Sequence, residues 1–156
     1  MKKKTLQRYG LATFIALIIA VSIVAFSWFK PHRDVQKAEV FAELNISELI
    51  GEYMYNSDAA NKKYLSDDGN SKVLIVKGRV SKISANQNKE LVIILKDEDA
   101  KVGVSASFTQ KPSANTNGIK EGDIIRVKGV ITSGNSYDPD LDLYEHATLI
   151  QCDIVK

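Results

Sequence analysis

The sequence predicts a mainly β fold: five short strands closing into a small barrel, preceded by an amphipathic α-helix and, at the N-terminus, by a transmembrane helix. Three observations carry this. Residues 11–29 are an almost unbroken apolar run, residues 46–64 repeat apolar side chains at helical spacing, and from Lys72 onward apolar residues recur at every second position. The 156 residues suffice for one domain of ordinary size behind the apolar run.

The apolar run comes first. Residues 9–29 contain no charged side chain. The 19 residues of 11–29 (LATFIALIIAVSIVAFSWF), at ~1.5 Å per residue, span roughly 28 Å, close to the ~30 Å hydrocarbon core of a bilayer. Tyr9 at one end and Trp28 and Phe29 at the other suit the two interfaces. Lys2, Lys3, Lys4 and Arg8 precede the run, whereas Lys30 and Arg33 are soon offset by Asp34. This bias predicts a cytoplasmic basic tail (1–8), a signal anchor crossing the cytoplasmic membrane once (9–30) and a C-terminal domain outside the cytoplasm. The alternative is a signal peptide cut after Ala25-Phe26-Ser27, giving a secreted domain. The length of the apolar region and the Trp-Phe pair after that site argue against it. No cysteine stands directly after the run, which argues against lipid attachment.

Charge separates along the chain in the same way. Of 21 basic and 19 acidic residues, residues 1–30 hold five basic and no acidic ones, leaving 16 basic against 19 acidic in 31–156. The exported part is therefore net acidic, and a simple electrostatic case for a nucleic-acid partner is missing. Cys152 is the single cysteine, so no intramolecular disulfide forms; it reads as a small core hydrophobe.

Residues 31–44 read as a charged connector, helical from Val35 onward, spacing the domain (45–156) from the membrane. A helix then starts at Asn45, with Glu48 three residues on in a capping-box pattern. Ile46, Leu49, Ile50, Tyr53, Met54, Ala60 and Tyr64 form its apolar face, and residues 67–70 (DDGN) end it. The Asn45-Ile46-Ser47 sequon reads better as this helix start than as a glycosylation site.

The strands follow in order. Leu74, Val76, Gly78 and Val80 alternate with Lys77, Arg79 and Ser81. A turn at 85–89 leads to an apolar strand at 91–95, and the charged turn 96–100 (KDEDA) to Val102, Val104, Ala106 and Phe108. A polar stretch precedes Glu121-Gly122-Asp123 and a fourth strand with Ile125, Val127, Gly129 and Ile131 inward and Arg126 and Lys128 outward. After a loop at 132–145, Ile150, Cys152 and Ile154 mark the fifth strand. Glycines at matching places, in Val76-Lys77-Gly78-Arg79-Val80 and Val127-Lys128-Gly129-Val130-Ile131, suit the strand bends of a five-stranded OB-type barrel.

From Ile46 to Ile154 the chain resembles the tRNA_anti-like OB-fold proteins of bacterial envelopes. The residues that carry the likeness are Leu49, Tyr53, Asn56, Ala59, Ala60, Lys63 and Tyr64 of the helix, the Val76–Val80 and Glu121–Gly129 segments, and Leu149-Ile150-Gln151-Cys152. The resemblance implies an OB-fold and a nucleic-acid-binding label, without binding residues to carry over.

OB-folds that hold single strands pair a basic groove with aromatic platforms on the second and third strands. Here the outward third-strand positions are Gly103, Ser105, Ser107 and Thr109, and Phe108 falls on the inward phase. Cations gather elsewhere: Lys77, Arg79, Lys82, Arg126 and Lys128 form one outward stripe on the neighbouring first and fourth strands, either an anion-binding surface or a solvated sheet face. Asp138, Asp140, Asp142 and Glu145 have a ligand-like rhythm, yet Leu143 and Leu149 occupy the positions where a calcium loop needs Gly and Glu, so no metal is expected. Tyr137 and Tyr144 either flank a ligand at the barrel mouth or pack back on it. His32 and His146 have no catalytic partner motif beside them, and no phosphate loop, zinc spacing or nucleophile elbow occurs.

The expected function is thus a membrane-anchored, non-enzymatic binding module outside the cytoplasm, needing no cofactor. Two other readings stay open: a nucleic-acid-binding OB protein, and a structural envelope module docking a protein partner. The candidate partners are the membrane itself through residues 9–30, an anionic polymer, nucleic acid and an envelope protein.

Overall fold

The period-two stretches pair edge to edge until the sheet closes on itself. The computed structural model describes residues 34–108 and 116–155, within one compact unit, Asp34–Lys156. The expected membrane span at 9–30 lies outside them, and no helix among the described residues is long and apolar enough to cross a membrane. The elements in chain order are β1 (Ala42–Asn45), α1 (Ile46–Tyr55), α2 (Ser57–Tyr64), β2 (Val73–Ala85), β3 (Leu91–Leu95), β4 (Val104–Phe108), β5 (Ile124–Ser133), β6 (Ser136–Asp138), β7 (Leu143–Glu145) and β8 (Ala147–Val155).

Strands β2, β3, β4, β8 and β5 follow one another around the barrel, and β5 pairs back onto β2. All neighbours are antiparallel except β4 and β8, which are parallel. This is the connectivity of an OB-type barrel, so the fold is mainly β with two helices. Leu74, Val76, Val80, Val104, Ala106, Phe108, Val127 and Ile131 fill the interior in the phase that alternation predicts. Strand β8 departs from it. Ile150 is 38% exposed, while Leu149 and Cys152 are the inward pair. Ala106 pairs with Leu149 and Phe108 with Cys152, so β8 carries one extra residue here. Gln151 takes a left-handed φ of 53° at this bulge, which flips the phase of the strand.

Helix α1 packs Ile46, Leu49, Ile50 and Tyr53 into the barrel core. It starts as predicted, with the Asn45 N–H donating to Glu48 Oε2 at 2.7 Å. The single helix expected over 45–64 is instead two. Asn56, with φ −157° and ψ 95°, ends α1 and caps α2, its side chain accepting from the Ala59 N–H at 3.0 Å. Asparagine competes well for such local bonds, and the break lets the Tyr64 ring stack on Tyr53 at 6.2 Å. Glu52 takes two 2.8 Å contacts from the Lys63 ammonium and a 2.9 Å bond from the Tyr64 hydroxyl.

The connector is also corrected where it is described. A single turn at 34–38 is followed by β1, not by a helix. Strand β1 runs parallel to the first half of β2, from Ala42 opposite Leu74 to Asn45 opposite Lys77, on the edge that β3 occupies further along. Val35 is buried with Val73 and Val130, whose positions alternate with the inward Leu74 and Ile131 and so lie on the outside of the barrel. The segment is part of the domain's packing.

Candidate functional site

The barrel brings the predicted cations onto one outer surface. Lys77 on β2 stands directly opposite Arg126 on β5, with Arg79 two positions to one side of this pair and Lys128 two positions to the other, on the same face. Lys82 lies beyond a register irregularity on β2, opposite Ile94. Three of these five cations hold the chain itself. Arg126 Nε and Nη2 donate to Glu43 Oε1 and Oε2, both at 2.8 Å. This pairing pushes the Glu43 carboxyl below its usual pKa and that of Arg126 above its own. Lys128 Nζ donates to the carbonyls of Gln36 at 2.9 Å and Ala38 at 2.8 Å. Arg79 donates to the Gly122 carbonyl at 2.9 Å and lies 3.8 Å from Glu98. Lys77 and Lys82 are exposed. The groove beside Arg79, about 320 Å³, adds Lys96 but also Asp97, Glu98 and Glu121, so it does not concentrate positive charge.

The face that OB-folds commonly use is equally unsuited to stacking bases. Val92 and Ile94 on β3 stand opposite Ser107 and Ser105 on β4, without a ring or a cation among them. Phe108 is core, as its phase predicts.

The loop at 132–145 contains a structure that alternation did not reveal. Strands β6 and β7 form a separate hairpin in which Tyr137 faces Tyr144, ring centroids 4.5 Å apart. The acidic side chains close its turn. Asp138 Oδ1 accepts from the N–H groups of Asp140 and Leu141, and the Tyr137 hydroxyl donates to Asp142 Oδ1 at 2.8 Å. Among the described residues, no group of three or more His, Cys, Asp or Glu side chains is placed to hold a metal ion.

Between this hairpin and α1 lies a cleft of about 370 Å³, lined by Tyr53, Met54, Val102, Asn135, Tyr137 and Tyr144. Ser57 and Ser136 complete its wall. Tyr53 is 3% exposed, and its hydroxyl and Asn135 Oδ1 are buried without a hydrogen-bond partner. Burial, then the neighbouring Tyr64 and Glu52, push the Tyr53 phenol up to about 12. Gly134 permits this packing, because a Cβ there would overlap the Tyr53 ring at Cε1 and Cδ1. The Lys101 ammonium sits 5.1 Å from the centre of the Tyr144 ring. Tyr137 and Tyr144 were legible as candidates at a barrel mouth. Tyr53 read as helix core and Asn135 as loop, since no local pattern links residues so far apart in sequence.

Two other candidate reactive groups among the described residues, His146 and Cys152, are engaged in bonding and packing. His146 Nδ1 accepts the Gly103 N–H at 3.1 Å, tying the starts of β8 and β4 together. Burial pushes the Cys152 thiol pKa far up, leaving it un-ionised.

Fold and surface together define a small OB-type barrel protein. The chain belongs to the tRNA_anti-like family, whose model matches residues 1–139. That match takes in the N-terminal residues and ends before β8. No curated protein matches the chain. Among solved structures it is similar to one described as a "putative nucleic acid-binding lipoprotein" from Klebsiella pneumoniae, with 16% identity and a TM-score of 0.52 over 81% of this chain and 100% of that one. At that identity the likeness is one of fold.

Proposed function

We propose that this protein is a membrane-anchored, non-enzymatic OB-fold binding module, held by residues 9–30 and displayed outside the cytoplasm. One observation carries the reading: residues 9–29 form an uncharged, almost continuously apolar run behind Lys2, Lys3, Lys4 and Arg8, in a chain whose described part closes into an OB-type barrel. The similar Klebsiella protein is described as a lipoprotein, which supports an envelope setting. The non-enzymatic part is supported by the fate of His146 and Cys152, both spent on packing and backbone bonding.

External protease added to spheroplasts of a bacterial host expressing the full chain with a C-terminal epitope tests the orientation. Digestion of the epitope while a cytosolic marker survives agrees with it. A protected epitope contradicts it, and release of the domain into the medium points to signal cleavage instead.

A second reading is nucleic-acid binding through Lys77, Arg79, Lys82, Arg126 and Lys128. It is supported by the description of the similar protein and by the exposure of Lys77 and Lys82. A protein-docking role is favoured by Met54 and Tyr55, which are 69% and 92% exposed at the end of α1.

A further inference from the structure

We infer that the cleft between α1 and the β6–β7 hairpin binds an uncharged sugar ring carrying an amide, the chemistry of an N-acetylated amino-sugar unit in an envelope glycan. The inference rests on the reading of the protein as an exported binding module and names the ligand class. The described lining, from Tyr53 to Tyr144, contains no charged side chain, and the charges that touch it from behind are of both signs, Lys101 over the Tyr144 ring against Asp142 on the Tyr137 hydroxyl and Glu145 on Ser136, so the cleft does not concentrate charge for a phosphate or carboxylate ligand. It does contain aromatic faces. Tyr137 is 48% exposed, and a pyranose presents C–H bonds that pack on such a face. Two unpartnered atoms supply the polar half. Asn135 Oδ1 accepts a hydrogen bond, fitting an amide N–H, and the Tyr53 hydroxyl donates one, fitting an amide carbonyl.

Leaving such groups unsatisfied costs stability, which a complementary ligand recovers. Both atoms are covered in the structure, so the ring seats as the hairpin eases away from α1. The hairpin suits that motion: its strands have three residues each and pair only with one another. A volume of about 370 Å³ falls at the small end of ligand sites, matching one or two sugar rings.

The test uses the full chain in a zwitterionic detergent without a sugar headgroup, with ¹³C-methyl methionine as reporter, because Met54 lines the cleft. The probes are the tetramer of N-acetylglucosamine, the tetramer of glucose and a single-stranded RNA of mixed sequence. The expected result is saturable binding of the N-acetylated tetramer alone, with a shift of the Met54 methyl signal. Tyr137→Ala and Tyr53→Phe should each weaken it by about tenfold or more. Tyr53→Phe deletes only an unpartnered hydroxyl and carries the test; Tyr137→Ala also removes the Tyr144 ring contact and the bond to Asp142, so its loss of binding counts only if the Met54 methyl signal of the free variant keeps its native position. A trapped water that satisfies Tyr53 and nothing more would show as full-strength binding in Tyr53→Phe, and overturns the assignment. Absence of binding to the acetylated tetramer, or equal binding of the glucose tetramer or of RNA, overturns it as well. Orientation is read separately by protease, so this inference can fail while the exported module stands.

Discussion

Arg126 on β5 and Glu43 on β1 are joined by two parallel 2.8 Å bonds that cross over β2 between them. The bidentate geometry fixes the four-residue β1 strand to the closed barrel. A cation that reads from sequence as a ligand contact is therefore a staple. Arg126→Gln and Glu43→Gln should each lower the thermal midpoint and speed amide exchange at 42–45. The double variant should be no worse than the worse single one, because the two changes remove the same contact. Additive losses would show that the two side chains act independently.

Lys128 has a parallel role for the segment that precedes β1. Its ammonium ties down the Gln36 and Ala38 carbonyls, while the Gln36 amide donates to the Gln151 carbonyl at the β8 bulge at 3.2 Å. Lys128→Met should cost about 1–2 kcal/mol by urea denaturation and expose the chain near Lys37 to trypsin. Unchanged proteolysis would mean that burial of Val35 alone holds the segment.

Stability should fall on mild acidification through His146. Burial first, then the charge of Lys96, lowers its pKa below the ordinary 6.5. The folded state thus favours neutral imidazole, whose Nδ1 accepts the Gly103 N–H, and the unfolded state binds the proton more readily. The contribution is complete above about pH 6.5 and is lost as pH falls through the depressed folded value. A second loss follows below about pH 4.5, where Glu52, lowered mainly by its bond from Lys63, takes up a proton. Melting curves from pH 8 to 4 should show the first step in the native chain and not in His146→Gln.

Gly134 faces the Tyr53 ring so closely that any side chain displaces it. Gly134→Ala should destabilise the domain by about 1–3 kcal/mol, since a buried ring cannot yield as a flexible chain end does. Gly51, whose added Cβ would meet nothing within 4 Å, is the control: Gly51→Ala on helix α1 should be neutral or stabilising. The reverse order of the two effects would contradict the packing of α1 against the end of β5.

Much of the barrel was legible because burial imposes alternation on β2, β4 and β5, and Leu74, Val76, Val104 and Val127 obey it. Strand β8 misled through a single inserted residue: the bulge at Gln151 turns Ile150 outward, and periodicity carries no trace of it. Asn56 ends one helix and starts the next, yet it sits inside a continuous apolar repeat. Strands β1, β6 and β7 have three or four residues each, too short to show a period, and rest on partners distant in sequence. The cation stripe was found by residue type and strand phase. That Glu43 and the carbonyls of 36 and 38 occupy it depends on a segment whose packing has no local signature. The cleft was half legible, as a tyrosine pair whose opposite wall lies on α1.

The most direct measurement is an anisotropy titration of labelled single-stranded RNA and DNA with the full chain, at about 50 and about 200 mM salt. Three of the five stripe cations are tied into the fold, and the described β3–β4 face carries no stacking platform. The expected result is therefore no saturable binding at micromolar protein. Tight binding that weakens steeply with salt, and is lost when Lys77 and Lys82 are reversed to glutamate, would contradict it and establish the nucleic-acid reading.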